Sequence, residues 1–282
     1  MEYQLMAIDM DGTLLDSSKR VLPSSTEAIE EALDAGRQIA ICSGRCPVMI
    51  EMDRDDFTRV RYAICGSGSA IYDLHERRLL RETTLDHALL DLALEASEGE
   101  DYICEAFSGP GFYFEPDMVE RMPDYYMGIY VPLYAKTGTP MEGFEQRLRE
   151  PSFPVQKFNL HFRTPEARSR VRERLESAPL ELAYSDEASL ELSPIGVNKG
   201  TGMLELAELL GIPREATIAI GDADNDLPML RDAGLGVAMG NANENARAAA
   251  AVTVADNDHG GVAEAIRRFL LGAGDARGGE RA

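Results

Sequence analysis

The sequence predicts an α/β fold in which a doubly wound, Rossmann-like parallel sheet carries an inserted α+β domain. Three observations lead to this prediction. Near both ends of the chain, short apolar runs stop abruptly at polar loops, and helical patterns separate them. Strands without alternation are typical of parallel sheets that helices cover on both faces. Between these regions apolar and polar positions alternate, as they do in antiparallel sheets with one exposed face.

The length and charge of the chain limit its function classes. Its 282 residues, 44% of them hydrophobic, suit one large domain or two medium ones. The 28 Lys and Arg residues against 49 Asp and Glu residues give a formal net charge of −21. Such a surface repels polyanions, so we expect no extended binding to nucleic acid or to an anionic membrane. This charge is still compatible with a small anionic ligand in a locally positive pocket.

The sequence also predicts a cytoplasmic location. No run approaches the ~18 apolar residues that a spanning helix needs, and the N-terminus lacks the basic region of a signal peptide. The four cysteines form no CxxC pair, so we interpret them as reduced thiols that lie mostly in the core. They are Cys42, Cys46, Cys65 and Cys104.

The first part of the chain has the order strand, helix, strand, helix, strand. Pro23 gives a helix-start signal, and Gly36 gives a helix-end signal. The predicted strands and helices here are Tyr3–Ile8, Glu27–Ala35, Gln38–Cys42, Pro47–Phe57 and Tyr62–Cys65. A similar alternation of strands and helices is predicted near the C-terminus. There the predicted strands are Thr217–Ile220, Leu235–Met239 and Val252–Val254, and the helices are Lys199–Leu210, Leu227–Ala233, Asn243–Ala251 and Gly261–Leu271.

The middle of the chain follows a different pattern. Helices are predicted over Asp86–Ser97 and Pro165–Ser177, and alternating, half-exposed strands over Phe158–Phe162 and Ser189–Ser193. We interpret His161, in the first of these strands, as a packed or exposed histidine rather than a ligand. The patterns assign residues 1–82 and 193–271 to a discontinuous core domain, residues 83–192 to an inserted α+β domain, and residues 272–282 to a disordered tail.

Two carboxylates, Asp9 and Asp11, directly follow the first predicted strand. Open α/β sheets bind ligands at the carboxyl ends of their strands, so this position suits a functional site. Carboxylates this close repel each other unless a cation or a shared proton relieves the repulsion. An ordinary turn rich in Asp and Gly is the alternative, but the complete run Asp-Met-Asp-Gly-Thr-Leu favours a functional site.

Two further positions carry groups that suit an anion. Ser43, Gly44 and Arg45 follow the second strand, where a hydroxyl, backbone N–H groups and a guanidinium can hold phosphate oxygens. Lys199 begins a predicted helix, a position that normally prefers negative charge, so a functional cation is indicated there. Taken singly, an ordinary Ser-Gly loop and a solvated lysine are the alternatives.

A fourth group of polar residues follows the strand Thr217–Ile220. Within five positions it has three carboxylates and one amide, at Asp222, Asp224, Asn225 and Asp226. Hard oxygen ligands grouped in this way suit Mg²⁺. A calcium loop of the EF-hand type would need Gly at its sixth position and Glu at its twelfth, and this segment has neither.

These four motifs, in this order, resemble the haloacid dehalogenase superfamily. More closely they resemble its Cof-type phosphatases, in which a large α/β cap domain is inserted between the second and third motifs. The long segment between Ser43 and Lys199 has room for such a cap, and the resemblance covers the whole chain except the tail. One departure follows the third strand, where Cof-type proteins often have Asn-Gly-Ala. This chain has Gly-Ser-Gly at positions 66–68, without the asparagine.

The resemblance implies a catalytic role for two aspartates. Asp9 would attack phosphorus and form an aspartyl-phosphate. Asp11 would protonate the leaving alcohol and later activate water, and its backbone carbonyl would bind the metal. The implied phosphate-binding residues are Ser43, Gly44, Arg45, Lys199 and Asn241, and the implied ligands of Mg²⁺ are Asp9, Asp11, Asp222, Asn225 and Asp226.

The resemblance therefore implies a Mg²⁺-dependent phosphatase that hydrolyses small phosphorylated metabolites. A sugar phosphate is the first expectation for the substrate, and a phosphorylated cofactor is the second. The alternatives are a phosphomutase that uses the same aspartyl-phosphate, and a non-catalytic protein that binds phosphorylated ligands. We expect a monomer or a homodimer.

Overall fold

The computed structural model describes residues 2–184 and 187–272. The chain divides into two compact units. The first unit has the residues up to Gly44, Ile50–Arg78 and the residues from Asn198 onward, and the second has Arg45–Met49 and Leu79–Val197. Residues 273–282 of the predicted disordered tail lie outside the described residues.

The helices and strands are numbered along the chain. The first seven are β1 Leu5–Ile8, α1 Pro23–Asp34, β2 Gln38–Cys42, α2 Pro47–Ile50, β3 Tyr62–Cys65, β4 Ala70–Asp73 and β5 Arg78–Glu82. The next eleven are α3 His87–Ala96, β6 Tyr102–Ser108, β7 Gly111–Phe114, α4 Met118–Arg121, α5 Val131–Thr137, β8 Thr139–Pro140, α6 Phe144–Leu148, β9 Lys157–Phe162, α7 Pro165–Arg174, β10 Leu180–Ala183 and β11 Ser189–Pro194. The last seven are α8 Lys199–Leu209, β12 Thr217–Gly221, α9 Leu227–Asp232, β13 Leu235–Ala238, α10 Glu244–Ala249, β14 Val252–Thr253 and α11 Gly261–Ala265.

The first unit is built on seven strands of one sheet, in the order β14-β13-β12-β1-β2-β3-β4. β1 pairs in parallel with both β2 and β12, and the parallel pairing continues to β3 on one side and to β14 on the other. β4 is antiparallel to β3. The uniformly apolar strands are buried almost throughout, so the predicted doubly wound parallel sheet is confirmed. Because the strand order reverses at β1, its carboxyl end is the expected ligand-binding edge.

Local sequence explains where α8 begins. The Asn198 side chain accepts hydrogen bonds from the backbone N–H groups of Gly200 and Thr201, at 2.9 and 3.0 Å. The Asn198 N–H in turn donates to Thr201 Oγ1 at 3.0 Å. This reciprocal cap satisfies N–H groups that the first turn leaves without helical partners. It fixes Lys199 at the first position of the helix.

The second unit is built on a six-stranded sheet with the order β10-β11-β9-β6-β7-β8. β9 is antiparallel to both β6 and β11, as the alternating pattern predicts. Phe158, Leu160 and Phe162 of β9 belong to a hydrophobic cluster that also contains residues of α3, α6 and α7. This unit is therefore the α+β part of the fold.

The expectation that β9 and β11 are half-exposed is wrong. All six residues of β9 are buried, including the polar Lys157, Asn159 and His161. Ser189 of β11 is buried as well. These polar side chains have partners in the buried sheet. Asn159 and His161 bond to Glu105 of β6, His161 also bonds to Ser189, and Lys157 pairs with Glu191 of β11. Of the two alternatives expected for His161, a packed or an exposed side chain, the structure has the packed one.

One segment of the second unit differs from the domain assignment made from the sequence. Arg45–Met49 groups with this unit rather than with the first. Cys46 and Met49 are buried in a hydrophobic cluster with residues of β6 and β7. The Val48 N–H also donates to the Pro110 carbonyl oxygen at 3.0 Å. The apolar burial of Cys46 and Met49 explains why this segment, including Arg45, is grouped with the second unit.

Two expectations from the composition can be compared with the structure. All four cysteines are buried and free, as expected for reduced thiols in the core. Across residues 2–184 and 187–272, none of the helices combines the length and the apolar character that crossing a membrane requires.

Candidate active site

The candidate active site begins where β1 ends. The last strand residue is Ile8, and the Asp9 N–H still donates to the Ile220 carbonyl oxygen of β12 at 3.1 Å. The chain then turns tightly, because the Leu14 N–H donates back to the Asp9 carbonyl oxygen at 3.1 Å. The Asp9 side chain is therefore held at the carboxyl edge of the sheet, and the residue is only 5% exposed.

Gly12 makes this turn possible. Its φ is +87°, and a Cβ at this position would lie 2.5 Å from Asp222 Oδ2. Only glycine combines a left-handed conformation with such a close approach. The next residue, Thr13, donates its hydroxyl to Asp222 Oδ1 at 3.0 Å. The loop after β1 is therefore in direct contact with the loop after β12.

Lys199 joins two of the predicted carboxylates. Its ammonium is buried, and Nζ donates to Asp9 Oδ1 at 2.5 Å and to Asp226 Oδ1 at 2.6 Å. These ion pairs explain a lysine at the first position of a helix, where the dipole disfavours positive charge. Burial alone would lower the pKa of Lys199, but the charges of Asp226 and Asp9 raise it well above its usual value. The lysine is therefore charged at neutral pH.

Asp226 holds the loop after β12. Its Oδ2 accepts the backbone N–H groups of Asp222 and Ala223, at 2.9 and 3.0 Å. Its Oδ1 accepts from Lys199, so both oxygens of this buried side chain already have donors. Asp226 is thus a partner of the lysine and of the loop, at a position where the resemblance implies a metal ligand.

Three carboxylates lie close together here, and two of them, Asp9 and Asp226, pair with Lys199. One oxygen from each of Asp9, Asp222 and Asp226 lies within 4.8 Å of the others. Burial and, after it, the charge of Asp226 raise the pKa of Asp9 well above its usual value and raise the pKa of Asp222 to about 6. A bound cation would relieve the repulsion that raises these pKa values.

The donor set fits Mg²⁺. Asp9 and Asp222 offer carboxylate oxygens from two adjacent strand ends, and Mg²⁺ prefers such hard oxygen ligands. Asn225 lies in the 3₁₀ turn Asp224–Asp226 and is exposed. The structure therefore brings Asp9, Asp222 and Asp226 together, while the Asn225 side chain stays at the surface of the same loop.

Ser43 lies at the end of β2, next to β1. It is 2% exposed, its N–H donates to the Ile64 carbonyl oxygen at 2.9 Å, and its carbonyl oxygen accepts from the Ser67 N–H at 3.0 Å. Ser43 and Gly44 belong to the first unit, whereas Arg45 belongs to the second. Two members of the predicted Ser-Gly-Arg loop are thus placed at the edge of the first sheet.

Asn241, which the resemblance places near the phosphate, holds the loop after β1. Its Nδ2 donates to the Gly12 carbonyl oxygen at 2.8 Å, and its Oδ1 accepts from the Asn257 N–H at 3.1 Å. Asn257 Nδ2 donates to the Leu15 carbonyl oxygen at 2.9 Å. Both polar atoms of the Asn241 side chain are therefore engaged with the backbone of neighbouring loops.

Comparison with known proteins identifies the family. A family model described as haloacid dehalogenase-like hydrolase matches residues 6–266. The chain belongs to the haloacid dehalogenase-like hydrolases. Phosphatase YwpJ from Bacillus subtilis (strain 168) is 30% identical to this hydrolase, over 95% of this chain and 100% of its own length. Pyridoxal phosphate phosphatase YbhA from Escherichia coli (strain K12) is also 30% identical, over 96% of this chain and 100% of its own length.

Another relative and a solved structure agree with this. YcsE, a 5-amino-6-(5-phospho-D-ribitylamino)uracil phosphatase from Bacillus subtilis (strain 168), is 28% identical over 96% of this chain and 97% of its own length. A haloacid dehalogenase-like hydrolase structure from B. subtilis matches with a TM-score of 0.83 at 28% identity, over 95% of this chain and 100% of that chain. The predicted fold and the predicted enzyme class, a Cof-type phosphatase, are confirmed.

Two residues near the site of this hydrolase were missed by sequence reasoning. Lys19 Nζ lies 2.8 Å from Asp11 Oδ1, and both side chains are substantially exposed, at 58% and 42%. Asp11 therefore forms an ion pair with Lys19, which lies in a turn and has a φ of +60°. Asn257 is the second residue, through its bond to the loop after β1. A lysine eight positions after an aspartate and an asparagine in a polar loop are weak signals.

Proposed function

We propose that this hydrolase releases phosphate from small phosphorylated metabolites in a Mg²⁺-dependent reaction through an aspartyl-phosphate on Asp9. The observation that carries the proposal is the buried Asp9 carboxylate, 2.5 Å from Lys199 Nζ and grouped with Asp222. Burial and the neighbouring carboxylates raise the pKa of Asp9, so its surroundings do not stabilise its charge by themselves. Such a group in a site of convergent polar side chains favours chemistry over a structural role.

The proposed reaction has two displacements. An Asp9 oxygen attacks phosphorus, the bond from phosphorus to the ester oxygen breaks, and the leaving alcohol takes a proton from Asp11. Asp11 then removes a proton from water, whose oxygen attacks phosphorus, and Asp9 and inorganic phosphate are released. This is nucleophilic catalysis in which Asp11 acts first as general acid and then as general base.

Charge neutralisation is the main task of the surrounding groups. Repulsion opposes the attack of a carboxylate on a phosphate dianion, and Lys199 beside Asp9 offsets part of it. Mg²⁺, held by Asp9, Asp222 and the backbone carbonyl of Asp11, would supply further positive charge at the phosphate oxygens. The proposed ligand set is completed by Asn225 and Asp226.

The phosphate oxygens need hydrogen-bond donors besides Lys199. We assign this role to the Ser43 hydroxyl and the Gly44 N–H at the end of β2, and to the Arg45 guanidinium that follows them. The buried position of Ser43 at the carboxyl edge of the sheet supports its assignment. For Asn241 we propose an indirect contribution, because its side chain holds the Gly12 carbonyl oxygen.

Small phosphorylated metabolites are proposed as substrates because the named relatives act on such compounds. YbhA is named for pyridoxal phosphate, and YcsE for a phosphorylated ribitylaminouracil. A sugar phosphate and a phosphorylated cofactor are therefore the two classes to test first. A cytoplasmic location, with a monomer or a homodimer as the active form, completes the proposal.

The metal dependence is tested with para-nitrophenyl phosphate, with added Mg²⁺ and with a chelator. We expect turnover only with the metal. Asp222→Asn should raise the Mg²⁺ concentration for half-maximal rate by at least about tenfold, because a charged ligand becomes neutral. Asp258→Asn is the matched control, since among the bonds described its carboxylate accepts only from Ser17, which is not a proposed site residue. Full turnover in the chelator would contradict the proposal.

A second experiment separates hydrolysis from phosphoryl transfer within one sugar. Glucose 1-phosphate is incubated with the enzyme and Mg²⁺, and the products are followed by phosphorus NMR. Free phosphate supports the phosphatase. An isomeric sugar phosphate without free phosphate would contradict it and would indicate the phosphomutase alternative. A panel of phosphorylated sugars and cofactors, assayed for released phosphate, then identifies the substrate class.

A further inference from the structure

The proposed reaction assigns no role to the ion pair between Lys19 and Asp11. Lys19 Nζ lies 2.8 Å from Asp11 Oδ1, and both side chains are partly exposed. An exposed ion pair adds little to the stability of a protein, because water screens the charges and ordering the side chains costs entropy. The pair is therefore better explained by where it holds the Asp11 side chain than by the stability it adds.

The backbone of Lys19 is fixed by its neighbours. Its φ is +60°, a conformation that few residues other than glycine adopt unless the surrounding structure supports it. The support comes from the buried Asp16 side chain, whose Oδ1 accepts the N–H groups of Ser18 and Arg20 at 2.8 and 2.9 Å. The Lys19 N–H itself donates to the Asp16 carbonyl oxygen at 2.9 Å. Lys19 is therefore presented by a turn that is hydrogen-bonded on both sides of it.

The same turn is tied to the backbone of Asp11. Leu15 forms a parallel bridge with Asp11 and an antiparallel bridge with Val21. The Asp16 N–H donates to the Arg20 carbonyl oxygen at 2.8 Å, which closes the turn next to these bridges. Both partners of the ion pair therefore belong to one hydrogen-bonded loop of the first unit. This loop sets the distance between the Lys19 and Asp11 backbones.

We propose that Lys19 is a positioning residue, which keeps the Asp11 carboxyl group in the orientation that proton transfer requires. The inference rests on the proposed function, in which the Asp11 proton goes to the ester oxygen as the bond from this oxygen to phosphorus breaks. Only one carboxyl oxygen exchanges the proton, so Lys19 holds Oδ1 while the other oxygen takes part in the transfer. A partly exposed carboxyl group has several rotamers, and a misplacement of about 1 Å can cost about 100-fold in rate.

The choice of leaving group tests whether Lys19 acts through Asp11. Benzyl phosphate loses an alkoxide, which needs a proton as it leaves, whereas para-nitrophenyl phosphate loses a stable anion that needs almost none. Lys19→Met should lower kcat/KM at least about tenfold for benzyl phosphate and less than about threefold for para-nitrophenyl phosphate. This ratio covers the steps up to departure of the leaving group, so the later attack of water does not enter it. Lys19→Arg keeps a cation and should recover most of the loss.

Arg20→Met is the matched control. It removes a positive charge from the same turn, where Arg20 pairs with Asp16, and it leaves the ion pair between Lys19 and Asp11 in place. Its kcat/KM for both substrates should stay within about twofold of wild type. In an Asp11→Asn chain, which lacks the proposed acid, Lys19→Met should change kcat/KM for benzyl phosphate by less than about twofold. Circular dichroism checks the folding of each variant.

The outcomes separate this inference from the proposed function. Equal losses with the two substrates, or a loss that persists in the Asp11→Asn chain, would overturn the inference, because Lys19 would then act on the charge of the substrate. Unchanged turnover by Lys19→Met beside a slow Asp11→Asn variant would overturn the positioning role alone. Wild-type turnover of benzyl phosphate by Asp11→Asn, or a wild-type enzyme that accepts only para-nitrophenyl phosphate, would contradict the acid role of Asp11 and the inference with it.

Discussion

Each unit of the chain buries a group of charged side chains, and the two groups are balanced differently. In the first unit, Asp9 and Asp226 share the single ammonium of Lys199, and Asp222 lies beside them. In the second unit, one carboxylate, Glu105, accepts hydrogen bonds from three different side chains. Both groups are taken out of water, but only the second has enough donors for its negative charge.

The pKa values follow this difference. Burial and the neighbouring carboxylates raise the pKa of Asp9, although Lys199 opposes them. For Glu105 the opposing attractions prevail over burial, and the pKa falls. A buried carboxylate whose charge is stabilised by its surroundings suits a structural role. One whose charge is destabilised suits a site that binds a cation and a reacting group. The comparison therefore favours a structural role for Glu105 and supports the catalytic role proposed for Asp9.

The largest expected effect comes from removing a buried lysine in each unit. Lys199→Met leaves Asp9 and Asp226 without their cation, so we expect a loss of about 3–5 kcal/mol in the free energy of unfolding. Lys157→Met is the matched control, because Lys157 is equally buried but its partner Glu191 is partly exposed. For that variant we expect about 1–2 kcal/mol. Urea unfolding at pH 7.5 without Mg²⁺ measures both, and equal losses would contradict the comparison.

The geometry of the first group is tested by adding one methyl group. Gly12→Ala would push against the Asp222 carboxylate, so we expect phosphatase activity to fall about 100-fold. Gly36→Ala is the control, because Gly36 also has a positive φ, +76°, but a Cβ there meets nothing within 4 Å. Both should lose about 1–2 kcal/mol of stability from backbone strain. An active Gly12→Ala enzyme would show that this contact does not position the carboxylate.

The balance of the second group predicts a pH dependence of stability. The folded-state pKa of Glu105 is lowered, so its contribution is present above the unfolded value of about 4.3 and is lost as the pH falls through the folded value. Glu105→Gln should cost about 1–3 kcal/mol at pH 7. The difference between wild type and variant should shrink from pH 5 to pH 3.5 in urea unfolding. A constant difference would mean that Glu105 is not stabilised as a charged group.

The carboxylate cluster of the first unit predicts a pH dependence of stability with the opposite sign. The pKa of Asp222 is raised to about 6, so the folded chain binds a proton more readily than the unfolded chain. Without metal, the contribution of Asp222 to stability should fall as the pH rises from about 4 to 6. Asp222→Asn should show a weaker pH trend than the wild type, because the raised pKa of Asp9 gives a trend of the same sign. Protons also compete with Mg²⁺ here, so the apparent Mg²⁺ affinity should drop up to about tenfold per pH unit below 6. Melting curves with and without Mg²⁺ at pH 5, 6 and 7 measure both effects.

The first group could be predicted from the sequence for a physical reason. The carboxyl ends of parallel strands meet at one edge, so polar residues after Ile8 and Gly221 are brought together whatever lies between them. Lys199 could be singled out because a lysine at a helix start conflicts with the helix dipole. The structure adds what spacing does not show, namely that this lysine bridges Asp9 and Asp226.

The second group could not be predicted in this way. Alternation assigns Asn159 and His161 to an exposed face, because a pattern of residues does not reveal what packs against that face. Their burial depends on Glu105, which is more than fifty positions away in the sequence. The ion pair between Lys19 and Asp11 escaped prediction as well, since it depends on a turn with positive φ.

The most direct test of the central claim is the rate of Mg²⁺-dependent phosphate release by Asp9→Asn. The amide keeps the shape of the side chain and removes a charge that burial disfavours, so the variant should fold at least as well as the wild type. We predict that phosphate release from para-nitrophenyl phosphate falls by at least about a thousandfold, while Asp258→Asn keeps the wild-type rate. A folded Asp9→Asn variant with wild-type phosphate release would contradict the assignment of Asp9 as the nucleophile.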